Sequence, residues 1–197
     1  MRKVFLIFIT LLLINKVSAQ SETKIGLKFG VHYSGFTDGG EIVLADSFGF
    51  HAGFISEILL SDKFALQPEL LFSQRKGQDG TKIGDQRKFY FVSERNYIDL
   101  PLNLKYLISD KFHVEIGPQF SFLLSDKNTI TPSSSDSNPD SELIINGFDF
   151  SANLGVSFNP SEKIIIQLRL NHGFSKVVET FDSKNSMISL GLGYFIF

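Results

Sequence analysis

Residues 24–33 read "KIGLKFGVHY" and divide by alternate position. Ile25, Leu27, Phe29, Val31 and Tyr33 form one set, and Lys24, Gly26, Lys28, Gly30 and His32 form the other. Successive side chains of a strand point to opposite faces, so this period of two predicts a strand with one apolar and one polar face.

The pattern returns seven times. Phe48, Phe50, Ala52, Phe54, Ile58 and Leu60 oppose Gly49, His51, Gly53 and Glu57, and Phe64, Leu66, Pro68, Leu70 and Phe72 oppose Ala65, Gln67, Glu69, Ser73 and Arg75. Ile98, Leu100, Leu102, Leu104 and Tyr106 oppose Asp99, Asn103 and Lys105, while Phe112, Val114, Ile116, Phe120 and Phe122 oppose His113, Glu115, Gln119 and Ser121. Phe148, Phe150, Leu154, Val156 and Phe158 oppose Asp149, Ser151, Asn153 and Ser157, and Ile164, Ile166, Leu168 and Leu170 oppose Gln167, Arg169 and Asn171. The eighth segment, "SMISLGLGYFIF" at 186–197, sets Ile188, Leu190, Leu192 and Tyr194 against Ser189, Gly191 and Gly193.

Connections between these segments alternate in length. "LLSDKF" at 59–64 and "LISDKF" at 107–112 are near copies, and "NPSEKI" at 159–164 is a looser third. Ser and Asp bond nearby backbone through their side chains, so the phrases read as tight turns after the second, fourth and sixth segments. The remaining connections, near 35–47, 76–95, 125–146 and 175–185, read as long loops. A further "SDK" at 125–127 opens one of those loops, so the tripeptide marks a turn only between apolar strand ends. The acidic, low-complexity "TPSSSDSNPD" at 131–140 is expected to be mobile.

Eight strands of about 11–14 residues, joined by alternating short turns and long loops, predict an all-β fold: an eight-stranded antiparallel up-and-down transmembrane β-barrel, its short turns in the periplasm. A soluble barrel of the lipocalin kind also alternates but hides its apolar set inside. Eight strands enclose only a packed handful of side chains, and about forty apolar side chains, many of them Phe, exceed that space. The apolar face therefore belongs against lipid and the polar face in the lumen.

That lumen would hold Glu57, Glu69, Asp99, Glu115 and Asp149 together with Lys24, Lys28, Arg75, Lys105 and Arg169. Desolvated charges persist when paired, so these residues are expected to form a structural network that fills the lumen and leaves no pore. Counting outward from a three-residue turn at 109–111 sets Lys105 opposite Glu115 and predicts an ion pair between them.

Residues 1–19 have the form of a cleaved signal peptide: Arg2 and Lys3, an apolar run over 4–14, then Val17, Ser18 and Ala19. The run is far shorter than the ~20 residues of a spanning helix. Residues 20–197 then form one barrel domain of 178 residues (197 minus 19). Taking Arg2, Lys3 and Lys16 from 19 basic residues leaves 16 against 21 acidic ones, a net charge near -5, which argues against nucleic acid as a partner. The absence of cysteine rules out disulfides, thiolate metal sites and a lipid anchor on an N-terminal cysteine.

"ALQPELLFSQRKG" (65–77), "NYIDLPLNLKYLI" (96–108) and "VEIGPQFSFLL" (114–124), with the leader and the terminal Phe197, resemble the PorT-like outer-membrane β-barrel family. The likeness runs over the whole mature chain and is strongest from the third to the fifth strand. It implies an eight-stranded barrel in the cell outer membrane, contact with outer-membrane lipid, and, for the founding member, a role in protein secretion. A fold of this kind does not transmit a role by itself. Phe197 is the expected assembly signal for the barrel-assembly machinery, with Phe195 one step behind it. Gly193, Gly191 and Ser189 break that step, and a bulge near 194–196 would reconcile it with Ile196, Tyr194 and Leu192.

Little in the sequence points to chemistry. If the first long loop is symmetric about 41 and 42, His32 and His51 face each other in the lumen and, with Asp38, Glu41 or Asp46, form a candidate metal site; a hydrogen-bonded polar pair is the plainer reading. His172, Ser175 and Glu179 raise a lipid-modifying enzyme, yet their spacing matches no nucleophile and base pair. "GLG" at 191–193 precedes no helix, so it is no dinucleotide fingerprint, and its glycines admit bulky lumenal neighbours. The expectation is a non-enzymatic outer-membrane barrel without cofactors that acts as a structural or interaction component of the envelope and docks other envelope or secretion proteins. The alternative is a ligand-binding or adhesion barrel acting through four extracellular loops.

Overall fold

The computed structural model describes residues 22–38, 41–83, 87–131, 146–176 and 184–197. The expected signal peptide, residues 132–140 and Glu179 lie outside them. Eight strands follow one another: β1 (Thr23–Asp38), β2 (Glu41–Ser61), β3 (Phe64–Ile83), β4 (Arg87–Leu107), β5 (Phe112–Thr131), β6 (Phe148–Ser161), β7 (Ile164–Lys176) and β8 (Lys184–Phe195). Each pairs antiparallel with its chain neighbours, and β1 pairs with β8 from Gly26 and Phe195 to Thr37 and Lys184, which closes the barrel. Closure leaves no strand edge, the condition for a sheet to sit in lipid with its backbone groups satisfied.

Alternation places the side chains as the sequence implies. Phe54 is 59% exposed and its neighbour Ile55 is 1% exposed. Outward aromatics pair across strands in two bands. Near the turn end Phe64 meets Tyr106 at 5.4 Å between ring centroids, and Phe112 meets Phe158 at 4.7 Å. Toward the other end Phe120 meets Phe150 and Phe122 meets Phe148, both at 5.4 Å. Such pairs strengthen the ladder, and two aromatic girdles bracketing an apolar wall are the form of a membrane barrel. Phe112 and Phe122 bound the wall on β5, a separation that fits the ~9–11 residues of a tilted crossing.

The repeated turn phrase has a backbone reason. Ser61 Oγ accepts the Lys63 N–H at 3.4 Å, and Ser109 Oγ accepts those of Lys111 at 3.4 Å and Phe112 at 3.1 Å. The lysine carbonyl of each turn then serves the strand beyond: Lys63 takes the Leu107 N–H at 2.9 Å, Lys111 that of Asn159 at 2.8 Å, and Lys163 that of Phe195 at 2.8 Å. Thus the phrase recurs because one turn geometry both closes a hairpin and extends the ladder to the next. Ahead of β1, the Glu22 carbonyl plays the same part for Leu59 at 3.0 Å.

Two expectations are corrected. Residues 35–47 and 76–95 are not long loops: β1 and β2 stay paired to Asp38 and Glu41, and β3 and β4 to Ile83 and Arg87. Ser125 to Lys127 lies within β5, opposite Asn96 to Glu94, so the strands run from 12 to 21 residues. Hydrophobic alternation reports lipid on one side of a strand, and beyond the aromatic band the ladder continues without it. A bulge does stand at the C-terminal end, at Ile196 and Phe197. The Ile196 and Phe197 N–H groups both bond the Ile25 carbonyl, at 2.8 and 3.4 Å, so two residues oppose one. Tyr194 and Ile196 face outward while Phe195, 2% exposed, turns into the lumen.

Candidate functional site

The lumen is where the polar residues converge, and all eight strands contribute. At its centre Glu69 on β3 accepts from Lys28 Nζ on β1 at 3.0 Å, from Arg169 on β7 at 2.7 and 3.1 Å, and from its neighbour Gln67 at 2.5 Å. Arg169 Nε also donates to Glu115 on β5 at 2.7 Å, whose other oxygen takes Gln167 at 2.7 Å. Two cations and two carboxylates thereby neutralise one another.

Toward the loop end Arg75 on β3 donates to Asp99 on β4 at 2.6 Å, to Asp149 on β6 at 3.2 Å and to Ser121 on β5 at 2.9 Å. Its guanidinium also lies over the Tyr97 ring, 4.2 Å from the centroid, where the ring quadrupole favours a cation. Asn185 on β8 completes this group by donating to Asp149 at 2.8 Å. Toward the turn end Lys105 on β4 bonds Glu57 on β2. Below the charges Ile55, Ile165 and Phe195 form a small apolar cluster. A Cβ at Gly193 would come within 2.6 Å of Ile165, and one at Gly191 within 2.8 Å of Lys28 Cε, so both glycines of "GLG" make room for lumenal side chains.

The predicted Lys105–Glu115 ion pair is corrected. The two residues are ladder partners and both are buried, but Lys105 takes Glu57 and Glu115 takes Arg169. Lys24 stands at the mouth, 3.6 Å from Glu22, and is not part of the packed interior. The apolar cluster escaped the sequence reading because Ile55, Ile165 and Phe195 occupy alternate positions otherwise filled by polar groups.

His32 and His51 are both buried and inward, but not directly opposed. His32 faces Gly49 and His51 faces Gly30, because β1 and β2 close at Asp38 and Glu41, ahead of 41 and 42, and the register shift between Ser34 and Phe36 makes up only half of that difference. The rings stack at 6.0 Å with 8° between planes. Each Nε2 lacks a hydrogen-bond partner, and the pair borders a cavity of about 30 Å³, room for a single water. Among the described residues no group of three metal-binding side chains forms, and the side chains of Asp38, Glu41 and Asp46 lie outside them.

His172 faces outward on β7, and its Nδ1 lies 3.2 Å from Ser186 Oγ on β8. Ser175 is not its partner, because Ser175 Oγ accepts the Phe150 N–H at 2.9 Å. The charged groups at the centre of the lumen bond one another and so tie together strands from all round the barrel.

A family model described as outer membrane protein beta-barrel domain matches residues 18–179. No curated protein sequence matches the chain. Among solved structures, the chain is similar to Ail, the attachment invasion locus protein of Yersinia pestis, in complex with the heparin analogue sucrose octasulfate, at 14% identity and a TM-score of 0.51, with 89% of this chain and 99% of that one covered. Neisserial surface protein A is similar at 11% identity and a TM-score of 0.47, covering 88% and 98%. At these identities the likeness concerns the fold.

Proposed function

The chain belongs to the outer membrane protein β-barrel domain family, and from that premise we propose that it is a non-enzymatic envelope component that works by interaction at its two ends, not by transport through its middle. The observation that carries this reading is the lumen, where ion pairs drawn from seven strands and an amide from the eighth cross the space a solute would need. Removing any one partner from such a group costs several kcal/mol, so the lattice supports a fixed interior.

Both ends offer surface. The three turns surround a bowl of about 590 Å³ lined by Lys24, Asp62, Lys63, Asp110, Lys111 and Glu162 among others. In outer-membrane barrels short turns face the periplasm, so this bowl would meet periplasmic partners. The PorT-like resemblance makes secretion proteins candidates for them, and the exposed Phe197 is the residue proposed to be read by the barrel-assembly machinery. Cross-linking in intact outer membranes followed by pull-down of the full chain tests the reading. Enrichment of defined envelope proteins over an unrelated eight-stranded barrel is expected; recovery of assembly factors alone would count against it.

One observation favours a second reading, adhesion or ligand capture outside the cell. Paired strands of β2 to β5 run well past the loop-end aromatic band, a raised platform of the kind a binding surface needs. Ail is named for attachment and invasion, and one of its structures holds a heparin analogue. Deleting residues 132–140 separates the two: loss of ligand adhesion with envelope complexes intact favours the second.

A further inference from the structure

The strand register places Pro118, Ala152, His172, Ser186 and Gly35 side by side on the outer wall, across β5, β6, β7, β8 and β1. Ala152, Ser186 and Gly35 are small. The next row toward the turn end is Ile116, Leu154, Leu170, Ile188 and Tyr33, all large, and toward the loop end stand Phe120, Phe150 and Phe174. Ala152 and Ser186 stand on either side of His172, and with the row of large side chains from Ile116 on β5 to Tyr33 on β1 they line a trough of about 660 Å³.

Its dimensions suit an acyl chain. Four interstrand spacings of ~4.8 Å make it roughly 19 Å long, comparable with one leaflet of a hydrocarbon core ~30 Å thick. Because the strands of such barrels tilt by ~35–45°, a row running perpendicular to them descends steeply through the leaflet instead of lying flat in it.

The trough also carries a polar pair. His172 bonds Ser186 through Nδ1 at 3.2 Å and packs edge-on against Phe174, 5.6 Å between centroids. No group among the described residues bonds its Nε2. Hydrocarbon offers such a nitrogen nothing, and an unpaired polar group there is costly. His172 sits one outward position inside Phe174, hence just below the aromatic band that marks the headgroup level.

We propose that this trough holds one membrane lipid, its acyl chain lying over Leu154, Leu170 and Ile188 beside Ala152 and Ser186, and its ester or amide carbonyl, or a hydroxyl, bonded to His172. The trough is continuous with the lipid-facing wall, so lipid is what covers it. The inference rests on the membrane location of the barrel and is independent of which proteins dock at its ends.

Native mass spectrometry of the full mature chain, delipidated in detergent and titrated with dipalmitoyl phosphatidylethanolamine, tests it. Wild type is expected to retain one lipid. Ala152→Phe, which fills the trough, should abolish retention, and His172→Ala should weaken it about three- to tenfold, the effect of one lost hydrogen bond. Both changes lie on the lipid face, and Ala152→Leu serves if the Phe variant does not fold. Equal retention by wild type and the filled variants, no retention by wild type, or a dimer that the filling disrupts would each overturn the proposal, the last by putting a second copy where the lipid should be.

Discussion

Lys105 lies directly across the β4–β5 ladder from Glu115, yet it bonds Glu57 on β2, while Glu115 receives the Arg169 guanidinium at 2.7 Å. Being ladder neighbours does not make these two charge partners, although Arg95 and Asp126, also opposite each other on β4 and β5, do pair at 3.3 Å. Within the lumen Lys105–Glu57, Lys28–Glu69 and Arg169–Glu69 each join strands that are not adjacent. A double-mutant cycle measures this. Lys105→Met with Glu57→Gln should show a coupling of about 1–3 kcal/mol in urea unfolding, whereas Lys105→Met with Glu115→Gln should show clearly less.

Glu69 is the most consequential single charge, because Lys28 and Arg169 both depend on it. Glu69→Ala is expected to cost about 3–5 kcal/mol, the usual consequence of stranding a buried charge. Asp99→Ala should cost less, since Arg75 keeps Asp149. Equilibrium unfolding of the two variants orders them, and the reverse order would contradict the place of Glu69 as the shared partner of Lys28 and Arg169.

Glycines divide by what a methyl group would meet. At Gly26 a Cβ would press on backbone, within 2.8 Å of Phe195 Cα, and Gly26→Ala should destabilise by about 1–3 kcal/mol because a ladder cannot step aside. At Gly191 the obstruction is Lys28 Cε, a flexible chain, at 2.8 Å. Gly191→Ala should cost less than about 1 kcal/mol by the same unfolding measurement.

The two terminal phenylalanines have separate fates. Phe195 is 2% exposed and packs with Ile55 and Ile165, so Phe195→Ala should lower stability by about 3–5 kcal/mol through the cavity it leaves. Phe197 is 85% exposed, and Phe197→Ala should leave the stability of the folded barrel unchanged while reducing the amount assembled in cells. Unfolding of purified protein, compared with the folded fraction in membranes, distinguishes the two effects.

How much of this was legible follows from what each signal reports. Alternation reports lipid, so Ile25 to Tyr33 and their counterparts revealed eight strands and their two faces. It fell silent at residues 76–95, where β3 and β4 stay paired with no lipid beside them. A tight turn lets register be counted outward, which is why Lys105 and Glu115 are ladder partners as expected. Partners across the lumen could not be counted, because strand tilt and stagger decide which rows meet inside a barrel. His32 and His51 show the limit from the other side: the hairpin closes at Asp38 and Glu41, not around 41 and 42, and the irregularity between Ser34 and Phe36 recovers only part of the difference, which leaves the inferred pairing displaced by two positions.

The claim on which the functional account depends is that the lumen is filled. Planar-bilayer recordings of the purified, folded chain measure this directly. Lys28, Glu69, Arg169 and Glu115 joined across the interior, with Arg75, Asp99 and Asp149 above them, predict no steady conductance over background. A steady, large conductance from the wild-type barrel would contradict the account and make the chain a channel.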